Sequence, residues 1–389
     1  MGFANHATII VWATVILTIS ANAQSLRDRF RQLDRDGDGR VTRAEAGNAR
    51  WFARLDRNSD GAITVDELRG LGAAANEQDE NGGAEIRAEL NSKVVAHRDA
   101  RYAETEGVVA NLQSLDIYTA KGGKTGEATA PKPVVIMIHG GGWRTGDKAN
   151  LGMTQYKVPH FVGNGYVYVS INYRLSVRPE DPKHPAHVQD CAKAIAWVHA
   201  NIDKYGGDPD RIFLMGHSAG AHLAALVSTD HRRLEAAGKK LSIIKGTVCL
   251  DTAAYDIPRY IKELGGRRGM QRLYENAFGS SEAAWKDASP RYHVAADKGI
   301  PPILFFHTGR RMAGKQLSKE LVEALRKAGT PAQAVHAADK DHAGINRCVG
   351  QPGDPYTEVI MQFLANPHRA GTLALGSAAK QPAAENVGQ

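Results

Sequence analysis

The 389-residue chain is 42% hydrophobic and 23% charged, an ordinary globular composition with room for one large domain and a small one. Three cysteines (Cys191, Cys249 and Cys348) are too few for a disulfide framework. The net charge of +7 comes from scattered Lys and Arg. The densest cluster (Arg267, Arg268, Arg272) falls in an expected helical insertion, so the charge reads as solvated faces and no nucleic-acid partner is expected.

The chain opens with an apolar run, Ala7 to Ile19, followed by Ala21-Asn22-Ala23, a small-x-small cleavage pattern. This predicts a signal peptide over residues 1–23 and a secreted or periplasmic location. Spanning a bilayer takes about 20 apolar residues, so no permanent membrane anchor is expected.

Residues 24–70 carry two acidic twelve-residue loops. In the first, Asp34, Asp36 and Asp38 offer oxygens at positions 1, 3 and 5, Gly39 supplies the sharp turn, Arg40 its carbonyl, and Glu45 closes the loop. Asp56, Asn58, Asp60, Gly61, Ala62 and Glu67 repeat the pattern. Both match the EF-hand loop, and the segment resembles compact bacterial EF-hand pairs and, more loosely, dockerin modules. The resemblance implies a small all-α module that binds calcium ions in a structural or docking role, with a protein partner as the candidate docking target. A single helix from about Arg43 to Leu55 must serve both loops, and Phe30, Leu33, Trp51, Phe52 and Leu55 would make the shared core.

Residues 71–93, rich in Gly, Ala, Glu and Asn, read as a linker. A domain over 94–367 then begins with alternating, strand-like stretches (Val108 to Tyr118). Strands follow at Pro133–Ile138, Tyr166–Ile171, Ile212–Met215, Ile243–Leu250, Ile303–His307 and Ala332–Ala337. Helices alternate with them at Cys191–Asn201, Ser318–Ala328 and Tyr356–Leu364. This alternation predicts an α/β fold, a doubly wound and mostly parallel sheet covered on both faces. Ile257 to Ala288 reads as an insertion, and residues 368–389 as a disordered tail.

Two motifs carry chemistry. The strand Pro133–Ile138 runs into His139-Gly140-Gly141-Gly142-Trp143, whose glycines free backbone N–H groups to approach a ligand. The strand Ile212–Met215 runs into Gly216-His217-Ser218-Ala219-Gly220 and then a small-residue helix, the setting in which a serine is held on a strained elbow. Gly141, Gly142 and Ala219 are the candidate oxyanion donors, and Ser218 the candidate nucleophile.

With these motifs the chain resembles the α/β-hydrolase superfamily, in particular its His-Gly-Gly-Gly carboxylesterases, lipases and acetyl or feruloyl esterases. The resemblance places the general base at His342, after the strand Ala332–Ala337. It puts the triad acid just after the strand Pro302–His307, but Thr308-Gly309-Arg310-Arg311-Met312-Ala313 holds no carboxylate. Some lipases carry the acid one strand earlier, which selects Asp251 with Asp256 second; Asp339 and Asp341 are expected to be solvated. His217, His222 and His307 are read as packing residues. The expected function is a serine esterase acting on short acyl esters, acetyl or feruloyl groups on polysaccharide among them. The alternatives are a lipase, an amidase, or a non-catalytic calcium-dependent binding protein.

Overall fold

The computed structural model describes residues 30, 33–34, 39–46, 52, 61–64, 93–122, 130–263, 268–309 and 311–374. The expected signal peptide, most of the expected linker and the last fifteen residues therefore lie outside the described residues. Contacts divide the chain into two compact units, 1–88 and 89–389.

In the N-terminal unit, β1 (Arg40–Thr42) and β2 (Ala62–Thr64) pair antiparallel, with Val41 opposite Ile63. These two residues hold the eighth position of their respective loops, and both are buried together with Phe30, Ala46 and Phe52. The module is thus not purely helical: where the loops run side by side, extended backbone in one satisfies its polar groups on the other. Trp51 and Leu55 of the expected core, and most of the expected helix from Arg43 to Leu55, lie outside the described residues. Arg43–Ala46 form a turn closed by Ala46 N–H on the Thr42 carbonyl at 2.9 Å.

The larger unit begins with an antiparallel pair, β3 (Val94–Arg101) and β4 (Ser114–Ala120). There follow β5 (Lys132–Ile138), α1 (Leu151–Thr154), α2 (Lys157–Gly163), β6 (Val167–Ile171), α3 (Ala186–Asn201) and β7 (Gly207–His217). The chain continues through α4 (Ala219–Thr229), α5 (His231–Glu235), β8 (Ile244–Leu250), α6 (Ile257–Glu263), α7 (Arg268–Phe278) and α8 (Glu282–Asp287). It closes with β9 (Ile303–Thr308), α9 (Met312–Lys327), β10 (Ala332–Ala337), α10 (Gly344–Cys348) and α11 (Pro355–Ala365). The strands β3 to β10 form one eight-stranded sheet in the order β10-β9-β8-β7-β5-β6-β4-β3, parallel from β6 through β10.

Successive strand residues point to opposite faces, and both faces are apolar. Ile136, Ile138 and Leu214 pack with Ile195 of α3, Leu223 of α4 and Leu321 of α9. Val135, Met137, Phe213 and Met215 pack with Phe161 of α2 and with Ile360 and Phe363 of α11. The doubly wound α/β architecture follows from this two-sided burial.

Two expectations are corrected. The strand expected from Val108 starts only at Ser114, because Ala110–Gln113 turn as a 3-10 helix. Polar side chains there are captured by partners distant in sequence: Asn111 bonds Asp147 and Lys148, and Gln113 donates to Asp190. Residues 368–374, expected to belong to a disordered tail, are instead anchored: Gln333 of β10 donates to the Leu373 carbonyl at 2.7 Å and accepts from Gly371 N–H at 2.8 Å. Among the described residues no helix is long and apolar enough to cross a membrane.

Candidate active site

Ser218 stands between β7 and α4 with φ 56° and ψ −118°, a conformation that costs a non-glycine residue roughly 1–3 kcal/mol. Its neighbours hold it there. Its N–H donates to the Leu250 carbonyl at the end of β8, at 2.9 Å. The flanking glycines allow the turn to close. A Cβ on Gly216 would lie 2.2 Å from the Gly220 carbonyl oxygen, and one on Gly220 would lie 2.1 Å from that of Ile138.

The ends of neighbouring strands supply the rest. His342, in the loop after β10, has Nε2 3.0 Å from Ser218 Oγ and Nδ1 2.7 Å from Asp251 Oδ2. Asp251 directly follows β8 and is fully buried. With Nδ1–H donated to Asp251, Nε2 is left to accept the serine proton. The structure therefore brings together Ser218, His342 and Asp251. Asp256 is elsewhere, accepting from Arg259 N–H and the Tyr292 hydroxyl. Asp339 accepts from Tyr356 and Asp341 from Gly344 N–H.

Where a carboxylate was expected after β9, the chain supplies donors instead. Thr308 gives Oγ1–H to Asp251 Oδ2 at 2.8 Å and its N–H to Oδ1 at 3.3 Å, and Arg311 Nη1 donates to Oδ2 at 2.7 Å. Burial pushes the Asp251 pKa up; the His342 hydrogen bond and the Arg311 charge outweigh it and hold the carboxyl well below the usual range. Thr308 and Arg311 belong to no motif, and the family pattern points to an acid in that segment. The signal that was available is Arg311 itself, a cation at the place where an anion was sought.

His217, expected to be a packing residue, does more. Its Nε2–H donates to the His342 backbone carbonyl at 2.7 Å, with ring centroids 4.7 Å apart. Burial and the neighbouring His342 push its pKa down to about 3, so it stays neutral near pH 7 with one N–H to give. His222 is buried as expected and links the glycine loop to the insertion. It accepts from Trp143 Nε1–H at 3.1 Å and donates to the Ala288 carbonyl at 2.6 Å.

The glycine loop lies against the elbow. A Cβ on Gly140 would be 3.1 Å from Ser218 Cβ, and one on Gly141 would be 2.0 Å from the Thr145 carbonyl oxygen. Gly142 (φ +61°) sits beneath Leu273 of α7, while Tyr274 and Phe278 of the same helix stack edge-on against Trp143. The third candidate donor, Ala219, is the first residue of α4, where the N–H has no intrahelical acceptor.

In the N-terminal unit, Gly39 and Gly61 take φ +81° and +85° at the sixth position of each loop, and Asp34 Oδ2 accepts from Gly39 N–H at 3.1 Å. Glu45 Oε2 accepts from Thr42 N–H and Oγ1–H, both at 2.8 Å. Asp34, Glu45 and the Arg40 and Ala62 carbonyls are the described members of the expected ligand sets. Asp36, Asp38, Asp56, Asn58, Asp60 and Glu67 lie outside the described residues.

A mostly parallel, doubly wound sheet with a serine elbow, a glycine loop and a histidine–carboxylate pair at its strand ends defines an α/β-hydrolase. More narrowly, the chain belongs to the BD-FAE family, whose model matches residues 115–325, and an EF-hand model matches 26–45 and 48–71. Among curated relatives, the probable carboxylic ester hydrolase LipM of Mycobacterium tuberculosis is 33% identical over 210 residues, covering 51% of this chain and 46% of LipM. Esterase LipQ of the same organism is 30% identical over 263 residues, covering 63% and 59%. The chain thus spans about half the length of these relatives. Esterase 2 of Thermogutta terrifontis is 25% identical, covering 72% of this chain and 95% of that one with TM-score 0.53. A truncated carbohydrate esterase from gut microbiota (22% identity, 70% and 95% covered, TM-score 0.57) shares the fold.

The close approach at the elbow is testable. Gly220→Ala should destabilise the protein by about 1–3 kcal/mol or more, since two backbones must part to admit the methyl group. Gly163→Ala, with nothing within 4 Å of the added Cβ, should leave stability unchanged or slightly raised. Thermal unfolding of both variants checks this; equal melting temperatures would refute the packing account.

Proposed function

We propose that the chain is a secreted or periplasmic serine carboxylic-ester hydrolase. The observation that carries this reading is the unbroken contact from buried Asp251 through His342 to Ser218, at 2.7 and 3.0 Å. Ser218 Oγ attacks the ester carbonyl while His342 Nε2 takes its proton, and Asp251 holds the ring and stabilises the imidazolium. The N–H groups of Gly141, Gly142 and Ala219 receive the oxyanion. Removing one such donor typically raises a barrier by about 2.7–4 kcal/mol. His342 then returns its proton to the leaving alcohol, and water repeats the attack on the acyl-enzyme.

Short acyl chains, acetyl or feruloyl groups on polysaccharide among them, are the proposed substrates. Leu273 over Gly142 favours small groups beside the glycine loop, and LipM and LipQ carry ester-hydrolase and esterase names. The EF-hand pair would hold calcium through Asp34, Asp36, Asp38, Arg40 and Glu45 in one loop and Asp56, Asn58, Asp60, Ala62 and Glu67 in the other. The positive-φ glycines fit that role. The ion would brace the N-terminal unit for a structural role or for docking a protein partner.

A panel of nitrophenyl esters from acetyl to palmitoyl should show turnover greatest for the short chains and lost in Ser218→Ala. Asp251→Asn should keep its fold and lose about 10³–10⁴-fold in kcat. Equal background rates for wild type and Ser218→Ala would refute the esterase reading, and a palmitoyl optimum would replace it with a lipase. In the full chain, a calcium chelator should lower the melting temperature of the N-terminal transition and leave nitrophenyl acetate turnover unchanged. Calcium-dependent turnover would contradict the bracing role.

A further inference from the structure

Arg311 has a role in the site that the proposed function does not use. It lies three residues beyond β9, and its guanidinium meets both halves of the acid–base pair. Nη1 donates to Asp251 Oδ2 at 2.7 Å and makes a very short contact with His342 Nδ1. One carboxylate oxygen therefore serves His342 Nδ1–H, Thr308 Oγ1–H and Arg311 Nη1–H together. Asp251 is fully buried, whereas the Arg311 side chain is 37% exposed.

A buried carboxylate needs a counter-charge or several donors. If the imidazole were its one charged partner, the pair would favour the state in which His342 holds a second proton, and such a histidine cannot accept from Ser218. Arg311 supplies a permanent cation in that place. It meets the demand of the carboxylate without calling on a charged imidazole.

Among the described residues, the other groups around the pair do not supply this charge. His217 on β7 and His307 on β9 are pushed down by burial, to about 3 and about 4. Lys157 of α2 is taken up by the carbonyls of Gly152 and Asn346, and Lys340 by Asp339 and Asp354. Asp341, beside His342 in sequence, accepts from Gly344 N–H. Lys315 and Lys319 of α9 act on His307, and buried Tyr255 has no charge to give.

We propose that Arg311 is a positioning residue which keeps Asp251 ionised and in place beside His342, so that the site works at lower pH than the histidine–carboxylate pair alone would allow. This rests on the hydrolase reading for its kinetic consequence, but not for its electrostatic one.

The test compares wild type with Arg311→Met, which removes the charge at similar length, and Arg311→Lys, which keeps it. In Arg311→Met the acid limb of kcat/KM for nitrophenyl acetate should move up by about 0.5–1 pH unit, the exposed guanidinium being partly screened. Arg311→Lys should return the limb toward its wild-type position even if the rate stays low. The same displacement should appear in an NMR titration of the His342 ring, which needs no turnover. If wild type shows no Ser218-dependent hydrolysis, the esterase reading fails while the titration still judges Arg311. An unchanged titration midpoint in folded Arg311→Met, or a Lys variant that behaves like the Met one, would overturn the proposal and leave only a structural ion pair.

Discussion

The site is organised by a carboxylate that has no solvent. Asp251 is fully buried at the end of β8, and each of its hydrogen bonds comes from a neighbouring part of the sheet's edge. Thr308 donates from the end of β9, Arg311 from the loop beyond it, and His342 from the loop after β10. An ionised group in such a place persists only when its donors are fixed. The requirement therefore extends from one residue to the register of three adjacent strands.

That register also sets Ser218. Ser218 N–H is held by Leu250, the residue before Asp251, so the elbow and the acid hang from the same strand end. On the other side of the elbow, Gly220 admits the backbone of Ile138, from which the His-Gly-Gly-Gly loop departs. Trp143 then ties this loop through His222 to Ala288 and packs against α7. The insertion between β8 and β9 is thus part of the wall around the glycine loop, not an appendage to it. The Asp251–His342–Ser218 contacts and the glycine loop are positioned by one sheet edge from two sides.

How much of this could be read from the chain follows from the range of the forces involved. Gly216, Gly220 and the three loop glycines were legible, because local backbone crowding demands glycine at fixed spacing. Strand and helix alternation was legible because both sheet faces are apolar. Asp251 could be selected over Asp256 only through the order of strands in a resembling family. Thr308 and Arg311 could not be found that way, since their contacts depend on the pairing of β8 with β9, some sixty residues apart in sequence. The segment Val108–Gln113 failed for a related reason. Its alternation suggested a strand, but Asn111 and Gln113 spend their polar groups on distant partners and turn the backbone. The β1–β2 pair in the N-terminal unit is likewise a tertiary outcome of two loops meeting.

The central claim is that buried Asp251, acting through His342, makes Ser218 the reactive serine of this chain. Reaction of the full chain with an organophosphonate ester, followed by intact mass and peptide mapping, tests it most directly. One adduct per chain on Ser218, formed rapidly by wild type and at least about a hundredfold more slowly by Asp251→Asn, is the expected result. An adduct on another residue, or equal labelling rates for the two proteins, would contradict it.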